Sequence, residues 1–253
     1  MRVTILGCWG PYPRAGENCS GYLLQEGDTS IMLDAGHGTF SCLSELMDFR
    51  KLTAVIISHF HPDHSADIPC LRHAIKGANA DGTRSGRLPL YAPEKPEEDY
   101  ARLRAQEDAF VITGVEQLPV QSGTGYHKLQ VKDFAITFLP TVHPLPCYAC
   151  RITATGKTVV YTADTSWFDE LVPFAQDADL LIAECSGFDK DRDKLAGVHL
   201  SARQAANLAK AANVKGLVLT HFWPEFDVNR LVAEAAEVYD NVSAAAGKRV
   251  IDL

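Results

Sequence analysis

Short apolar runs bounded by Gly, Pro or Asp recur along the chain: Val3–Leu6, Tyr22–Leu24, Ile31–Leu33, Ala54–Ile57, Leu88–Tyr91, Ala135–Leu139, Thr158–Tyr161, Leu180–Ala183 and Gly216–Leu219. Runs of this length, ended by turn residues, predict buried strands. Between and after them apolar positions recur at helical spacing, notably over Ser201–Ala212 and Val228–Ala246. The second segment places Leu231, Val232, Ala235, Val238, Tyr239 and Val242 on one face and runs into Gly247, a helix stop. The pattern is mixed α/β.

Ser201 followed three residues later by Gln204 is a capping-box signature, so a helix should begin just after His199 and Leu200. Gly77–Arg87 combines three Gly and two Arg with no large apolar residue and reads as a mobile surface loop. If it folded over a site, Lys76, Arg84 and Arg87 would become a basic lid; otherwise they are solvated charges. Residues 55–62 (VIISHFHP) echo residues 217–224 (LVLTHFWP), as two equivalent halves or a coincidence of two strand ends would produce.

Length and composition narrow the class. At 253 residues, 46% hydrophobic and 22% charged, the chain can build a sizeable core and is expected to form one domain over 1–253. No apolar run approaches the ~20 residues of a membrane-spanning helix. The N-terminus enters a strand-like pattern rather than a signal sequence, so the expected location is cytoplasmic. Lys+Arg 24 against Asp+Glu 32 gives a net charge of −8, which disfavours an extended nucleic-acid footprint but leaves room for a small anionic substrate. The seven cysteines are odd in number and scattered, as free thiols are. Cys147 and Cys150 form a C-x-x-C, but it lies in a strand-like stretch without a second pair, so both read as packing thiols.

The strongest chemical signal is His59-Phe60-His61-Pro62-Asp63-His64, an H-x-H-x-D-H directly after a strand. Three imidazoles and a carboxylate suit zinc, with manganese or iron as alternatives. One ion cannot easily use all four, whereas two neighbouring ions can, each completed by ligands from elsewhere. His143, Asp164 and His221 each follow an apolar run. Side chains at the carboxyl ends of several strands converge on one crevice, although any one of these taken singly would be an ordinary structural residue. His37, His73 and His127 have no such spacing and read as surface or structural.

Asp34 in LDAGHG, HFHPDH at 59–64, His143, Asp164 in YTADT and His221 in LVLTHF together resemble the metallo-β-lactamase superfamily. That resemblance implies an αββα four-layer sandwich and two Zn2+, with Mn2+ or Fe2+ as alternatives. It implies His59, His61 and His143 on one ion, Asp63, His64 and His221 on the other, and Asp164 between them. Asp34 would orient ligands without binding metal. GVHLSARQAANLAKAANVKGLVLTHF and LLIAEC resemble the ribonuclease Z-like phosphodiesterase branch, which implies His199 and Glu184 as a proton-transfer pair. His199 also precedes a helix N-terminus, where free N–H groups favour an anionic oxygen. Only 20 residues, 144–163, separate His143 from Asp164, where ribonuclease Z enzymes typically insert a long tRNA-binding arm.

The sequence therefore leads to the expectation of a phosphodiesterase for small diesters, a cyclic nucleotide or short oligonucleotide, attacked by a hydroxide bridging two metals. Asp63 would orient the nucleophile, and His199 held by Glu184 would serve the leaving oxygen. Three rivals remain: a hydrolase of lactones, thioesters or aryl sulfates, for which His199 is dispensable; a tRNA 3′-processing endonuclease; and an inactive metal-binding protein. A homodimer without membrane or extended nucleic-acid partners follows from resemblance and charge.

Overall fold

Two seven-stranded mixed sheets pack face to face in the computed structural model, which describes residues 1–253. The first contains β1 (Arg2–Gly7), β2 (Gly21–Glu26), β3 (Thr29–Leu33), β4 (Ala54–Ile56), β5 (Leu88–Ala92) and β6 (Phe110–Gly114). The second contains β7 (His127–Val131), β8 (Phe134–Pro140), β9 (Tyr148–Ala154), β10 (Lys157–Tyr161), β11 (Leu180–Glu184), β12 (Leu217–Thr220) and β13 (Val242–Ala244). A last strand, β14 (Val250–Asp252), returns to pair antiparallel with β1. Helices α1 (Thr39–Leu46), α2 (Pro62–Ser65), α3 (Ile68–Ala80) and α4 (Glu97–Arg104) join strands of the first sheet. Helices α5 (Leu171–Ala175), α6 (Arg192–Leu195), α7 (Ala202–Ala211) and α8 (Val228–Ala236) belong to the second.

Alternation along the strands fixes the layers. Ile31 and Leu33 of β3 enter a core of 50 buried residues shared with Phe138, Ile152 and α7, while Met32 between them enters a core of 19 with Leu71 and Ile75 of α3. Both sheets are thus apolar on both faces and covered outside by helices, an αββα sandwich. Truncating a wholly buried anchor such as Phe138 to Ala would cost about 3–5 kcal/mol.

In each sheet an antiparallel side gives way to parallel strands, β3·β4·β5·β6 in one and β10·β11·β12·β13 in the other. The two orders superpose β3 on β10, β4 on β11 and β5 on β12. The echo between residues 55–62 and 217–224 therefore joins β4 to β12, one strand out of step, and His59 and His221 do not occupy equivalent ends. The equivalent positions are those of Asp34, after β3, and Asp164, after β10.

Further expectations need correction. Helix α8 ends at Ala236 rather than Ala246, because Val242–Ala244 is recruited as β13 beside Leu217–Leu219. A strand partner outweighs the helical spacing of Val238, Tyr239 and Val242. Four of the eleven residues of Gly77–Arg87 are not loop at all, since α3 runs through Ala80. The rest is tied down: Arg84 donates to the Arg50 and Leu52 carbonyls and Arg87 to the Glu107 carbonyl, while Lys76 pairs with Asp108 at 3.1 Å. In this arrangement the three basic residues contact the body of the fold. No helix is long and apolar enough to cross a membrane.

Candidate metal centre

The parallel strands, and β8 running in the same direction as β10, deliver their carboxyl ends to one edge of the sandwich, and the polar residues following them converge there. His59 and His61 follow β4, His143 follows β8, Asp164 follows β10, and His221 follows β12. His59, Asp63, His64, Asp164 and His221 are buried. Pro62 opens the single-turn helix α2, whose turn places Asp63 and His64 beyond the His59–His61 pair. His221 takes a left-handed φ of 57° and Asp34 one of 57°, a backbone state uncommon outside glycine and concentrated at functional sites.

Two ligand clusters result. His59, His61, His143 and Asp164 form one and Asp63, His64 and His221 the other, the ligand atoms of each lying within 4.8 Å of one another. His59 Nε2 stands 3.0 Å from His61 Nδ1, which stands 3.2 Å from His143 Nε2. Asp164 joins the clusters, with Oδ1 3.3 Å from His64 Nε2 and Oδ2 3.2 Å from His221 Nε2 and 3.7 Å from His59 Nε2. Asp63 Oδ2 lies 3.1 Å from His221 Nε2. All seven ligand positions expected from the sequence are thereby brought together.

The site fits divalent cations on its own evidence. His64 Nε2 and Asp164 Oδ1 are buried and, although 3.3 Å apart, neither makes a well-formed hydrogen bond, in a protein interior where such orphans are rare. Burial holds His59 well below the ordinary imidazole range, with His64 beside it adding to the effect, and burial also lowers His61 and His143. Neutral imidazoles aimed at one point are ligands awaiting a cation. Burial likewise opposes charge on His64, but Asp164, Asp34 and Asp63 outweigh it and raise its pKa well above the usual value. Burial would raise Asp164, yet His221 and His64 hold it well below the carboxylate range.

The ring nitrogens facing away from this point are fixed by neighbours. His64 Nδ1 donates to Asp34 Oδ2 at 2.8 Å, His143 Nδ1 to the Val198 carbonyl at 3.1 Å, and His221 Nδ1 to Ser186 Oγ at 2.9 Å. His59 Nδ1 lies 3.1 Å from Ser58 Oγ and 3.6 Å from the buried Cys147 thiol. Burial pushes that thiol well above its usual pKa, so it packs beneath the ligand as a neutral group. Ser58, Tyr161 and Ser186 were missed by sequence reasoning; their only signal is adjacency to strand ends, which a lone Ser or Tyr does not distinguish.

His199 sits beside this centre, its nitrogen within 4.8 Å of ligand atoms of Asp164 and His221. Its Nδ1 donates to Glu184 Oε1 at 2.9 Å, and Thr165 N–H and Ser186 Oγ donate to the same carboxylate at 2.8 and 2.9 Å. Burial opposes the imidazolium, but the Glu184 charge and hydrogen bond prevail and raise His199 to about 9. The capping box of α7 is present, Ser201 Oγ accepting from Gln204 N–H and Gln204 Oε1 from Ser201 N–H. With Ala202 N–H also bound to the Gly187 carbonyl, two N–H groups expected to attract an anion are already occupied. Local positive charge here comes from His199. His37 and His73 are exposed, and His127 Nδ1 faces the Leu118 carbonyl at 3.1 Å.

Residues 29–222 match the family described as a beta-lactamase superfamily domain. The chain is 40% identical over 241 residues to a probable metallo-hydrolase, YhfI, of Bacillus subtilis, covering 95% of this chain and 94% of that protein. The crystal structure of YhfI superposes with a TM-score of 0.90 at 37% identity, over 99% of this chain and 98% of that one. A ribonuclease Z of Clostridium acetobutylicum is 23% identical over 305 aligned positions, covering 99% of this chain and 97% of the other. Human tRNase Z, short form, shares the fold with a TM-score of 0.79 at 24% identity, over 100% and 99% of the two chains.

Proposed function

The chain belongs to the beta-lactamase superfamily, on its ribonuclease Z-like metallo-hydrolase branch, and from that premise we propose that it is a dinuclear zinc phosphodiesterase acting on small diesters. The observation that carries this reading is the Glu184–His199 pair at the edge of the metal cluster. An imidazole held by a carboxylate next to the reacting group is placed to protonate an alkoxide as it leaves a phosphorus centre.

His59, His61 and His143 would hold one divalent ion, Asp63, His64 and His221 the other, and Asp164 both. Ions held there would lower the pKa of bound water towards neutrality and polarise phosphoryl oxygens. Asp63, already ionised, orients the attacking water through its carboxylate. His199 gives its Nε2 proton to the leaving oxygen, while Glu184 keeps Nδ1 protonated and the ring in place. The interval 144–163 is filled by β9 and β10, joined by the tight turn at Thr155 and Gly156, which leaves no tRNA-binding arm in this interval. With a net charge of −8, that favours a cyclic nucleotide or short oligonucleotide over precursor tRNA.

Steady-state hydrolysis of bis(p-nitrophenyl) phosphate and of a purine cyclic nucleotide by zinc- and manganese-loaded protein tests the reading, with p-nitrophenyl esters alongside. The expected result is diesterase activity that His199→Ala reduces about a hundredfold or more on the cyclic nucleotide at full metal occupancy. Esterase activity alone, indifferent to His199, would replace this reading with the carboxylic or sulfuric ester hydrolase.

A further inference from the structure

Seven large hydrophobic side chains are exposed on this protein, and only two of them, Tyr12 at 45% and Trp223 at 38%, are aromatic. These two touch, edge to face, with ring centroids 6.2 Å apart. Their position is set by the metal centre. Gly10 lies so close to His221 that an added Cβ would fall 2.1 Å from His221 Nε2, the nitrogen that faces Asp63 and Asp164. From that contact the two segments run side by side: Trp9 bridges Phe222 in parallel, and Gly10 N–H donates to the Phe222 carbonyl at 3.2 Å. Tyr12 and Trp223 each come two residues beyond the Gly10–His221 contact, a reach of at most about 7 Å of chain. A third exposed apolar residue, Val142, immediately precedes the ligand His143.

The aromatic pair is braced. Tyr12 Oη donates to Glu225 Oε1 at 2.6 Å. Arg14 donates to the carbonyls of Pro224 and Phe226 at 2.7 and 2.8 Å, with its guanidinium 4.3 Å above the Trp9 ring. Exposed rings held in one arrangement lose little freedom on binding, which is the condition for tight stacking. Two side chains are too small a surface for a stable subunit interface, which needs about 800 Å² from each partner.

Resting on the diesterase reading, we infer that Tyr12 and Trp223 form a stacking shelf for the nucleobase of a substrate whose phosphodiester lies at the metal centre. Stacking one base on such a ring is worth about 1–3 kcal/mol, or roughly 5- to 150-fold in binding. The shelf accepts a base of any identity, since every base presents a π-face to stack.

The test is the ratio of kcat/KM for a purine 3′,5′-cyclic nucleotide to that for the same cyclic ribose phosphate lacking the base, in metal-loaded protein. Trp223→Ala and Tyr12→Ala are expected to lower this ratio, Trp223→Ala by about tenfold, mainly through KM, with Trp223→Phe restoring most of it. In parallel, a purine nucleoside monophosphate should quench the tryptophan emission of the parent protein but not that of Trp223→Phe. An unchanged ratio in Trp223→Ala overturns the shelf and leaves the diesterase reading standing. Loss of a dimer in that variant, seen by sedimentation, would also overturn it by making the pair a subunit contact. If the parent cleaves neither compound nor bis(p-nitrophenyl) phosphate, the diesterase reading fails, and quenching alone then decides the shelf, its absence overturning it.

Discussion

Asp34, just beyond β3, and Tyr161, the last residue of the equivalent strand β10 in the opposite sheet, meet in a hydrogen bond of 2.7 Å, Tyr161 Oη donating to Asp34 Oδ2. Asp34 also accepts from Ser58 N–H at 2.7 Å, Ser58 Oγ at 2.9 Å and His64 Nδ1 at 2.8 Å, with no solvent exposure. The carboxylate thus ties both sheets to one metal ligand. Asp34→Ala is expected to weaken metal binding about 10–100-fold, since His64 loses the partner that orients it. Tyr161→Phe removes one donor of four and should cost about 1 kcal/mol of stability with a smaller effect on affinity. Competition against a chromogenic chelator measures both, and parental affinity in Asp34→Ala would refute the role given to Asp34.

Ser186 links the candidate ligand cluster to the Glu184–His199 pair, receiving from His221 Nδ1 and donating to Glu184 Oε2, each at 2.9 Å. Its removal leaves two buried polar groups short of a partner, a deficit of about 1–3 kcal/mol. Ser186→Ala should therefore lower kcat about tenfold when compared at full metal occupancy, and Ser186→Thr, which keeps the hydroxyl, should recover most of it. A variant with parental kcat and an unmoved pH profile would show that the link is structural only.

Much of this arrangement is legible in the sequence because strands and ligands are coupled. His59, Asp164 and His221 each follow an apolar run, so finding the runs finds the ligands. The capping box before Gln204 likewise places His199 at a helix entry. Less legible are strands whose partners decide for them. β7 alternates half-buried and exposed residues in HKLQV, and β13 lies in a stretch with helical spacing. The supporting hydroxyls of Ser58, Tyr161 and Ser186 acquire meaning only when a ligand ring from another segment arrives beside them. The one-strand offset of the internal echo has the same origin, since strand equivalence is a property of sheet order and not of local sequence.

Metal binding should release a proton. Without a cation, His64 carries charge at neutral pH because three carboxylates outweigh its burial, whereas a ligand needs Nε2 unprotonated. His59, His61 and His143 are already neutral there, and Asp164 and Asp63 already ionised. Loading metal-free protein with zinc at pH 7 in two buffers of different ionisation enthalpy should reveal release of about one proton per chain from His64, beyond what metal-bound water gives up. Loading should also raise Tm, by the equivalent of about 2.7 kcal/mol for each ion at a free concentration a hundredfold above its Kd. Zero net release would contradict the charge assigned to His64.

The pH dependence isolates His199. Its pKa is raised to about 9 because Glu184 outweighs burial, so the acid form dominates at neutral pH and is lost as pH rises through that value. The stability this pair gives the metal-free protein has the same sign, fully present below the ordinary value of 6.5 and fading as pH climbs towards about 9. Cations bound nearby repel the imidazolium, so in loaded enzyme the alkaline limb of kcat should lie at or below about 9. Glu184→Gln removes the charge that sustains the acid form and should shift that limb towards lower pH; His199→Ala should abolish it. The size of the His199→Ala loss should also follow the leaving group. An alkoxide needs the proton and p-nitrophenolate does not, so the loss should approach about 10²–10⁴ on a cyclic nucleotide and shrink on bis(p-nitrophenyl) phosphate. Equal losses on the two substrates would mean that His199 positions the diester instead of protonating its leaving oxygen.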